Sequence, residues 1–109
     1  MKRGEIWTVA GGPDYTGRPR PAVILQDDRF DYTDSVTICV FTTHPVDAPL
    51  FRPIVEASAL NGLKAQSRIM VDKISTIPRT KLGRRIGALD DDDMTGLNRA
   101  ILIFLGFSG

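Results

Sequence analysis

The sequence predicts a mainly β protein of the α+β class, with one small, curved antiparallel sheet or open barrel and a single C-terminal helix. Short runs rich in Val, Ile and Thr are separated by loops that contain Gly and Pro. Apolar residues recur at helical spacing only near the C-terminus. A chain of 109 residues can build one core but not two, so residues 1–109 are expected to form one domain.

Three strands are predicted in the N-terminal half. Residues 5–9 alternate in polarity and contain the strand formers Ile, Trp and Val. Residues 22–26 are mostly apolar, which is typical of a strand covered on both faces, and residues 35–42 are rich in Val, Ile and Thr. The glycines and prolines of residues 10–19 predict a loop with fixed bends, and the polar residues 27–34 predict a turn.

Shorter elements are predicted further along the chain. Residues 47–50 form a loop in this interpretation, and residues 52–56 form a short strand. The Ile and Val residues within 67–77 favour one further strand. Residues 79–81 suit a short helical turn, and residues 85–88 are predicted as the last strand.

A C-terminal helix is the final predicted element. Asp90 or Asp91 is expected to cap its first turn, because a carboxylate accepts from free N–H groups and complements the helix dipole. The next turns carry a predicted buried stripe of Met94, Leu97, Ile101, Phe104 and Leu105. Gly106 is expected to end the helix as the residue after the cap.

The charge distribution is uneven although the formal net charge is only +1. That net charge gives no global reason to expect binding to nucleic acid or membrane. Residues 52–89 nevertheless contain eight basic residues against Glu56 and Asp72, and four aspartates follow at 90–93. This pattern is compatible with a local phosphate-binding face, and equally with a solvated charged surface.

The single cysteine and single histidine restrict the chemistry. Cys39 lies in an apolar run and is expected to be a buried small hydrophobe, without an intramolecular disulfide. One Cys and one His do not make a zinc site, and the sequence shows no phosphate-cradling Gly-rich loop, so no metal or cofactor is expected. No signal peptide or membrane span is recognised, so a cytoplasmic protein without a membrane partner is expected.

The candidate chemistry lies where two predicted strands meet. Arg20 comes directly before Pro21 at the mouth of the second strand, and Thr42-Thr43-His44 ends the third. If these strands are adjacent and antiparallel, Arg20, Thr42 and His44 converge. A guanidinium binds two phosphate oxygens and a hydroxyl donates one more bond, and on RNA the 2′-hydroxyl itself can act as the nucleophile.

Structural interpretations of the same residues stay open from the sequence alone. Arg20 could form a surface ion pair, with Asp27 or Asp28 as its partner. Threonines are common at strand ends, and His44 before Pro45 could simply be a turn residue.

The order of these motifs resembles a known family. Residues 3–7 (Arg-Gly-Glu-Ile-Trp), then residues 20–25 (Arg-Pro-Ala-Val-Ile-Leu), a strand ending in Thr42, and the segments 67–77 and 82–106 are similar to the MazF/PemK toxins of bacterial toxin–antitoxin pairs. The resemblance covers nearly the whole chain. It implies the open SH3-like barrel of the MazF/CcdB-type fold. It also implies a metal-independent, sequence-specific endoribonuclease that cleaves single-stranded RNA by 2′-hydroxyl attack, leaving a 2′,3′-cyclic phosphate and a 5′-hydroxyl.

The resemblance also implies site residues and partners. It makes Arg20 and Thr42 catalytic. Because an arginine stays protonated in proteins, we expect Arg20 to act by charge stabilisation rather than as a base. The expected RNA-binding residues are Arg18, Asp27, Thr43, His44, Ser67 and Lys73. The implied partners are single-stranded RNA, a cognate MazE-like antitoxin with an acidic flexible tail, and a second copy of the chain in a homodimer.

Two departures from the family pattern keep alternatives open. The first loop, at residues 14–18, lacks the glutamate of many relatives, for which Asp14 is the possible substitute. Asp27 stands where relatives often carry Ser or Asn, so the RNA sequence that is cut stays undetermined.

One alternative function is a CcdB-like poison of DNA gyrase, although Phe107-Ser108-Gly109 lacks the aliphatic residue that such an end uses. The other is a non-catalytic RNA-binding relative.

Overall fold

The computed structural model describes residues 1–10 and 18–107 as a curled antiparallel sheet with one helix, as the sequence predicts. The loop residues 11–17, including Asp14, and the terminal Ser108 and Gly109 lie outside the described residues. The strands are β1 (Glu5–Val9), β2 (Arg20–Ile24), β3 (Ser35–Thr42), β4 (Ile54–Val55), β5 (Ser67–Ile69), β6 (Ser75–Pro78) and β7 (Leu82–Ala88), and the helix is α1 (Asp91–Phe104). Neighbouring strands follow the order β4-β5-β3-β2-β1-β7, and β6 also pairs with β3.

Strand β2 begins two residues earlier than the predicted 22–26 and ends at Ile24. Arg20 and Pro21 are part of the ladder because they lie opposite Val9 and Thr8 of β1. A proline at the start of a strand removes only one donor from the ladder. The earlier start matters because it places Arg20 inside the sheet instead of in the preceding loop.

The predicted single strand at 67–77 is wrong. A 3₁₀ turn at Val71–Lys73 separates β5 from β6, and both strands pair antiparallel with the same edge of β3. Strand β5 meets the end of β3, where Phe41 lies opposite Ile69, and β6 meets its start. Burial of Val71 in the core favours the turn over a continued strand.

Two other predicted strand boundaries differ from the structure, at β4 and β7. The strand predicted at 52–56 is limited to β4, whose two residues pair with β5. The strand predicted at 85–88 begins at Leu82, because β7 pairs with β1 as far as Val9. The predicted turn at 27–34 contains a 3₁₀ helix, Asp28–Phe30. The helical turn predicted at 79–81 is a 3₁₀ helix as well.

The sheet separates two apolar clusters. The larger one lies between the sheet and α1 and contains Ile6, Val23, Phe41 and Leu97, all almost completely buried. The smaller one lies on the other side of the same strands and contains Ala22 and Ile38, with residues that include Val9 and Ile24. Successive side chains of a strand point to opposite faces, which explains why β2, as predicted, is apolar on both.

The helix begins and ends as its sequence predicts, but its last turn is not buried. The Asp90 side chain accepts from the N–H of Asp93, and three more aspartates occupy the first turn. Gly106, at φ +83°, donates to Ile103, and Phe107 donates to Leu102, which together form a Schellman cap. The predicted stripe is wrong at its end, because Phe104 and Leu105 are about half exposed.

The helices within residues 1–10 and 18–107 include none with the length and apolar character needed to cross a membrane.

Candidate RNA-cleavage site

Arg20 lies at the first position of β2, opposite Val9 of β1. Val9 is almost fully buried, whereas Arg20 is partly exposed. The loop that precedes the strand leaves Arg18 and Pro19 exposed. Arg20 therefore stands at the rim of the sheet, with its backbone held in a ladder and its side chain able to reach solvent.

Thr42 lies across from Arg20 on the neighbouring strand. Strands β2 and β3 are antiparallel, with Ala22 opposite Val40 and Val23 opposite Cys39. Continued by two residues, the same register brings Arg20 opposite Thr42. Directly opposite residues of an antiparallel pair point to the same face, with Cβ atoms about 4.5–5.5 Å apart. The condition set by the sequence, that the second and third strands are adjacent and antiparallel, is therefore met.

The Thr42 hydroxyl is oriented by the turn that follows β3. Its oxygen accepts a hydrogen bond from the backbone N–H of His44 at 3.1 Å. The His44 carbonyl in turn accepts from Val46 at 2.9 Å, so the turn is held at both ends. Because the hydroxyl oxygen is the acceptor in this bond, its own hydrogen remains available to donate. The His44 side chain is exposed beside this turn.

A cavity of about 420 Å³ opens on the other face of the same strand ends. Its lining includes Thr8, Pro21, Thr43, Ser67 and Arg84. Pro21 directly follows Arg20, and Thr43 directly follows Thr42. Because successive side chains along a strand alternate, Pro21 and Thr43 lie on the opposite face from Arg20 and Thr42. The predicted RNA-binding residues Thr43 and Ser67 are thus together, but across the sheet from Arg20 and Thr42.

Ser67 is held firmly in the wall of this cavity. It is 4% exposed, and its hydroxyl donates to the carbonyl of Ala65 at 3.0 Å. The adjoining wall, at Gly62 and Leu63, is organised by Asn61, which is 2% exposed. The Asn61 side chain accepts from the N–H groups of Ser58 and Leu63, both at 3.0 Å, and donates to the carbonyl of Glu56 at 2.8 Å. Sequence patterns gave no signal for Asn61, because its partners are backbone groups of an irregular loop.

Known proteins resemble this chain in sequence and in fold. A model of the PemK-like, MazF-like toxin family of type II toxin–antitoxin systems matches residues 2–105. The chain belongs to this family. It is 50% identical over 109 residues to the probable endoribonuclease MazF of Mycolicibacterium smegmatis, and the match covers all of both chains.

Solved structures of MazF toxins share the fold. The Mycobacterium tuberculosis toxin MazF-mt6 matches with a TM-score of 0.81 and 26% identity, over 96% of this chain and 99% of that one. An endoribonuclease from a mycobacterial species, solved in complex with its cognate antitoxin, matches with a TM-score of 0.78 and 22% identity, over 100% and 98%. The predicted resemblance to MazF/PemK toxins and the predicted fold are therefore confirmed.

In this MazF-like toxin, Asp27 lies at the opposite end of β2 from Arg20. The strand spans about 13 Å at 3.3 Å per residue. The Asp27 side chain accepts from the backbone N–H and the side chain of Arg29, and these bonds lower its pKa. Asp28 accepts from the backbone N–H of Arg3 at 2.7 Å. The alternative in which Arg20 pairs with Asp27 or Asp28 is therefore wrong.

Lys73 is also separate from the Arg20–Thr42 pair. It ends the 3₁₀ turn between β5 and β6 and is exposed. The preceding Asp72 is paired with Arg52 through two hydrogen bonds, both 2.9 Å long. The Arg52 bonds lower the pKa of the Asp72 carboxyl. The pair fixes this turn against the segment that precedes β4.

Arg68 is a site candidate that the sequence interpretation did not single out. It is the central residue of β5 and lies opposite Thr42. In the sequence it is only one of the eight basic residues of the middle region. Arg68 was not predicted as a site residue because residues 67–77 were interpreted as one strand, and the pairing of β5 with the end of β3 does not follow from that interpretation.

Cys39 is buried as predicted. It is fully inaccessible in the larger cluster, and this burial raises the pKa of its thiol to about 12. Among residues 1–10 and 18–107, no group of three or more His, Cys, Asp and Glu side chains is placed to hold a metal ion.

Proposed function

We propose that this MazF-like endoribonuclease toxin cleaves single-stranded RNA at a specific sequence without a metal ion. The observation that supports this most directly is the register that brings Arg20 opposite Thr42 at the ends of β2 and β3. The two side chains supply a fixed positive charge and a hydroxyl donor to one point of the surface. This combination suits a phosphodiester whose negative charge grows in the transition state.

The RNA supplies its own nucleophile in this reaction. The 2′-oxygen attacks the adjacent phosphorus and loses its proton, and the bond from phosphorus to the 5′-oxygen breaks. The 5′-oxygen takes up a proton, which leaves a 2′,3′-cyclic phosphate and a 5′-hydroxyl. Arg20 stabilises the oxygens of the pentavalent intermediate bidentately, and the Thr42 hydroxyl donates to one of them.

The surrounding residues provide the RNA contacts in this proposal. Arg18 and His44 are exposed next to the catalytic pair. Thr43 and Ser67 line the cavity on the other face, which can accept a part of the strand that passes over the rim. Asp27 and Lys73 lie farther away and contact nucleotides distant from the cut.

We also propose a cognate MazE-like antitoxin as protein partner and a homodimer as the active form, in the cytoplasm. A related endoribonuclease has been solved in complex with its cognate antitoxin. Arg84 and Arg85 of β7 are both exposed; Arg84 lines the cavity, and Arg85 pairs with Glu5 at 3.1 Å. An acidic tail that folds onto Arg20 and these arginines would block access of RNA.

Cleavage of a long single-stranded transcript in the presence of EDTA tests this proposal. The wild-type protein should cut it, and mapping the new 5′ ends should give one short target sequence. Arg20→Ala should lose most of the activity, and Arg20→Lys should recover only part of it, because lysine keeps the charge but not the bidentate geometry. Intact RNA together with inhibited gyrase supercoiling would instead support the CcdB-like function.

A further inference from the structure

A row of paired residues crosses three strands on the face that carries Arg20 and Thr42. Thr42 of β3 lies opposite Arg68 of β5, and Arg68 lies opposite Ile54 of β4. Directly opposite residues of antiparallel strands point to the same face. Arg68 therefore flanks Thr42 on the side away from Arg20, and the threonine stands between two arginines.

The carboxylates of Glu56 and Asp72 are engaged by residues other than Arg68. Glu56 directly follows β4, but its carboxylate accepts from the Gln66 amide at 2.6 Å. Asp72 is occupied by Arg52. Within the described ranges, 1–10 and 18–107, no ion pair or side-chain hydrogen bond engages the Arg68 guanidinium. A partly buried cation without a counter-ion is costly, and an anionic ligand would offset that cost.

We propose that Arg68 binds the RNA phosphate next to the one that is cleaved, an inference that rests on the proposed function. Adjacent strands are about 4.8 Å apart, so β2 and β5, with β3 between them, are separated by about 9.6 Å. With their backbones two strand spacings apart, Arg20 and Arg68 flank Thr42 from opposite sides. They suit two successive phosphates of a strand that crosses the sheet over Thr42.

The proposed contact makes a kinetic prediction that differs from that for Arg20. A neighbouring phosphate carries the same charge in the ground state and in the transition state, so its contact adds uniform binding. Arg68→Gln should raise KM roughly tenfold and leave kcat within about a factor of three. Arg20→Ala, by contrast, should lose kcat. Arg99→Gln on the exposed surface of α1 is the matched control and should change neither constant.

Salt dependence separates a phosphate contact from a structural role. The probe is a 2′-O-methyl oligonucleotide of the mapped target sequence, which lacks the nucleophile. Loss of one phosphate contact should reduce the slope of log K against log salt concentration by about 0.7 for a single strand. Arg68→Gln should show this reduction, and Arg68→Lys should keep the wild-type slope because it keeps the charge.

The outcomes are distinct. If the wild-type protein cleaves RNA and Arg68→Gln keeps both the KM and the salt slope, the inference about Arg68 is overturned while the proposed function stands. A lower melting temperature with an unchanged salt slope would assign Arg68 a structural role and overturn the inference as well. If the wild-type protein leaves RNA intact, the proposed function fails and the role of Arg68 fails with it.

Discussion

Thr42 is placed by two neighbours, one along the chain and one across the sheet. The backbone N–H of His44 fixes its hydroxyl oxygen, and the register of β2 and β3 fixes which side chain faces it. A hydroxyl that already accepts one bond keeps its hydrogen available to donate. Such preorganisation means that little reorganisation is needed when charge develops on a phosphate oxygen.

Replacing Thr42 with valine tests the hydroxyl at nearly constant shape. We expect Thr42→Val to lower kcat by about 10²-fold or more, the usual cost of removing one preorganised donor. The fold should be retained, because the His44 N–H that loses its acceptor is exposed and can bind water. Initial rates on an RNA that contains the mapped sequence give kcat and KM.

Two companion variants make the Thr42 result specific. Thr42→Ser keeps the hydroxyl and should retain most of the activity. Thr80→Val removes an exposed hydroxyl from the 3₁₀ turn before β7 and should have no effect. An unchanged kcat in Thr42→Val would remove this hydroxyl from the mechanism.

At the scale of elements, the 3₁₀ turn at Val71–Lys73 determines where β5 ends and β6 begins. The turn is held from inside by buried Val71 and from outside by the Arg52–Asp72 pair. Both partners of this pair are mostly shielded from solvent, with 13% and 20% of their side chains exposed. A pair of this geometry stabilises more than an ordinary surface ion pair does.

Asp72→Asn should lower the free energy of unfolding by about 1.5–3 kcal/mol at pH 7, the range for a hydrogen bond to a charged group. The Arg52 bonds lower the pKa of the folded-state carboxyl below the ordinary value of 3.8. The pair therefore contributes fully above that value, and its contribution is lost as the pH falls through the folded-state pKa. Urea unfolding at several pH values measures both effects.

The stabilities of wild type and Asp72→Asn should accordingly become more similar as the pH falls below 3.8. Asp47→Asn, at an exposed position in the loop before β4, is the control and should follow the wild type at every pH. A gap between wild type and Asp72→Asn that stays constant down to pH 2 would contradict the assignment to the ionised carboxylate.

At the scale of the whole molecule, one protomer is small for a nucleic-acid groove. Its principal extents are 35 × 30 × 28 Å, and Arg20 and Arg68 are only two strand spacings apart. Single-strand binding modules commonly hold about 4–16 nucleotides. A second copy would extend the surface without any new element, which is the physical reason to propose a homodimer.

The dimer proposal predicts a solution mass near twice 12.0 kDa. Size-exclusion chromatography with light scattering measures it directly, over a range of protein concentrations. Obligate dimers also unfold at a midpoint that rises with concentration, because association and folding are coupled. A mass of one protomer at every concentration would count against the dimer.

The structural features that can be predicted from the sequence alone are local ones. The alternation in β1, the Val, Ile and Thr run of β3, the Asp90 cap and the Gly106 end of α1 depend on residues close in the chain, and each was predictable. Arg20 and Thr42 were found in the same way, since both mark the end of a strand.

Features that depend on which strands pair with one another could be seen only in the tertiary structure. The break of 67–77 into two strands, the exposure of Phe104 and the position of Arg68 beside Thr42 all follow from which strand meets which edge of β3. It also divided the predicted site, with Thr43 and Ser67 on the opposite face of the sheet from Arg20 and Thr42. The sequence shows that neighbouring strand residues alternate, but the face that each one joins is set by partners distant in the chain.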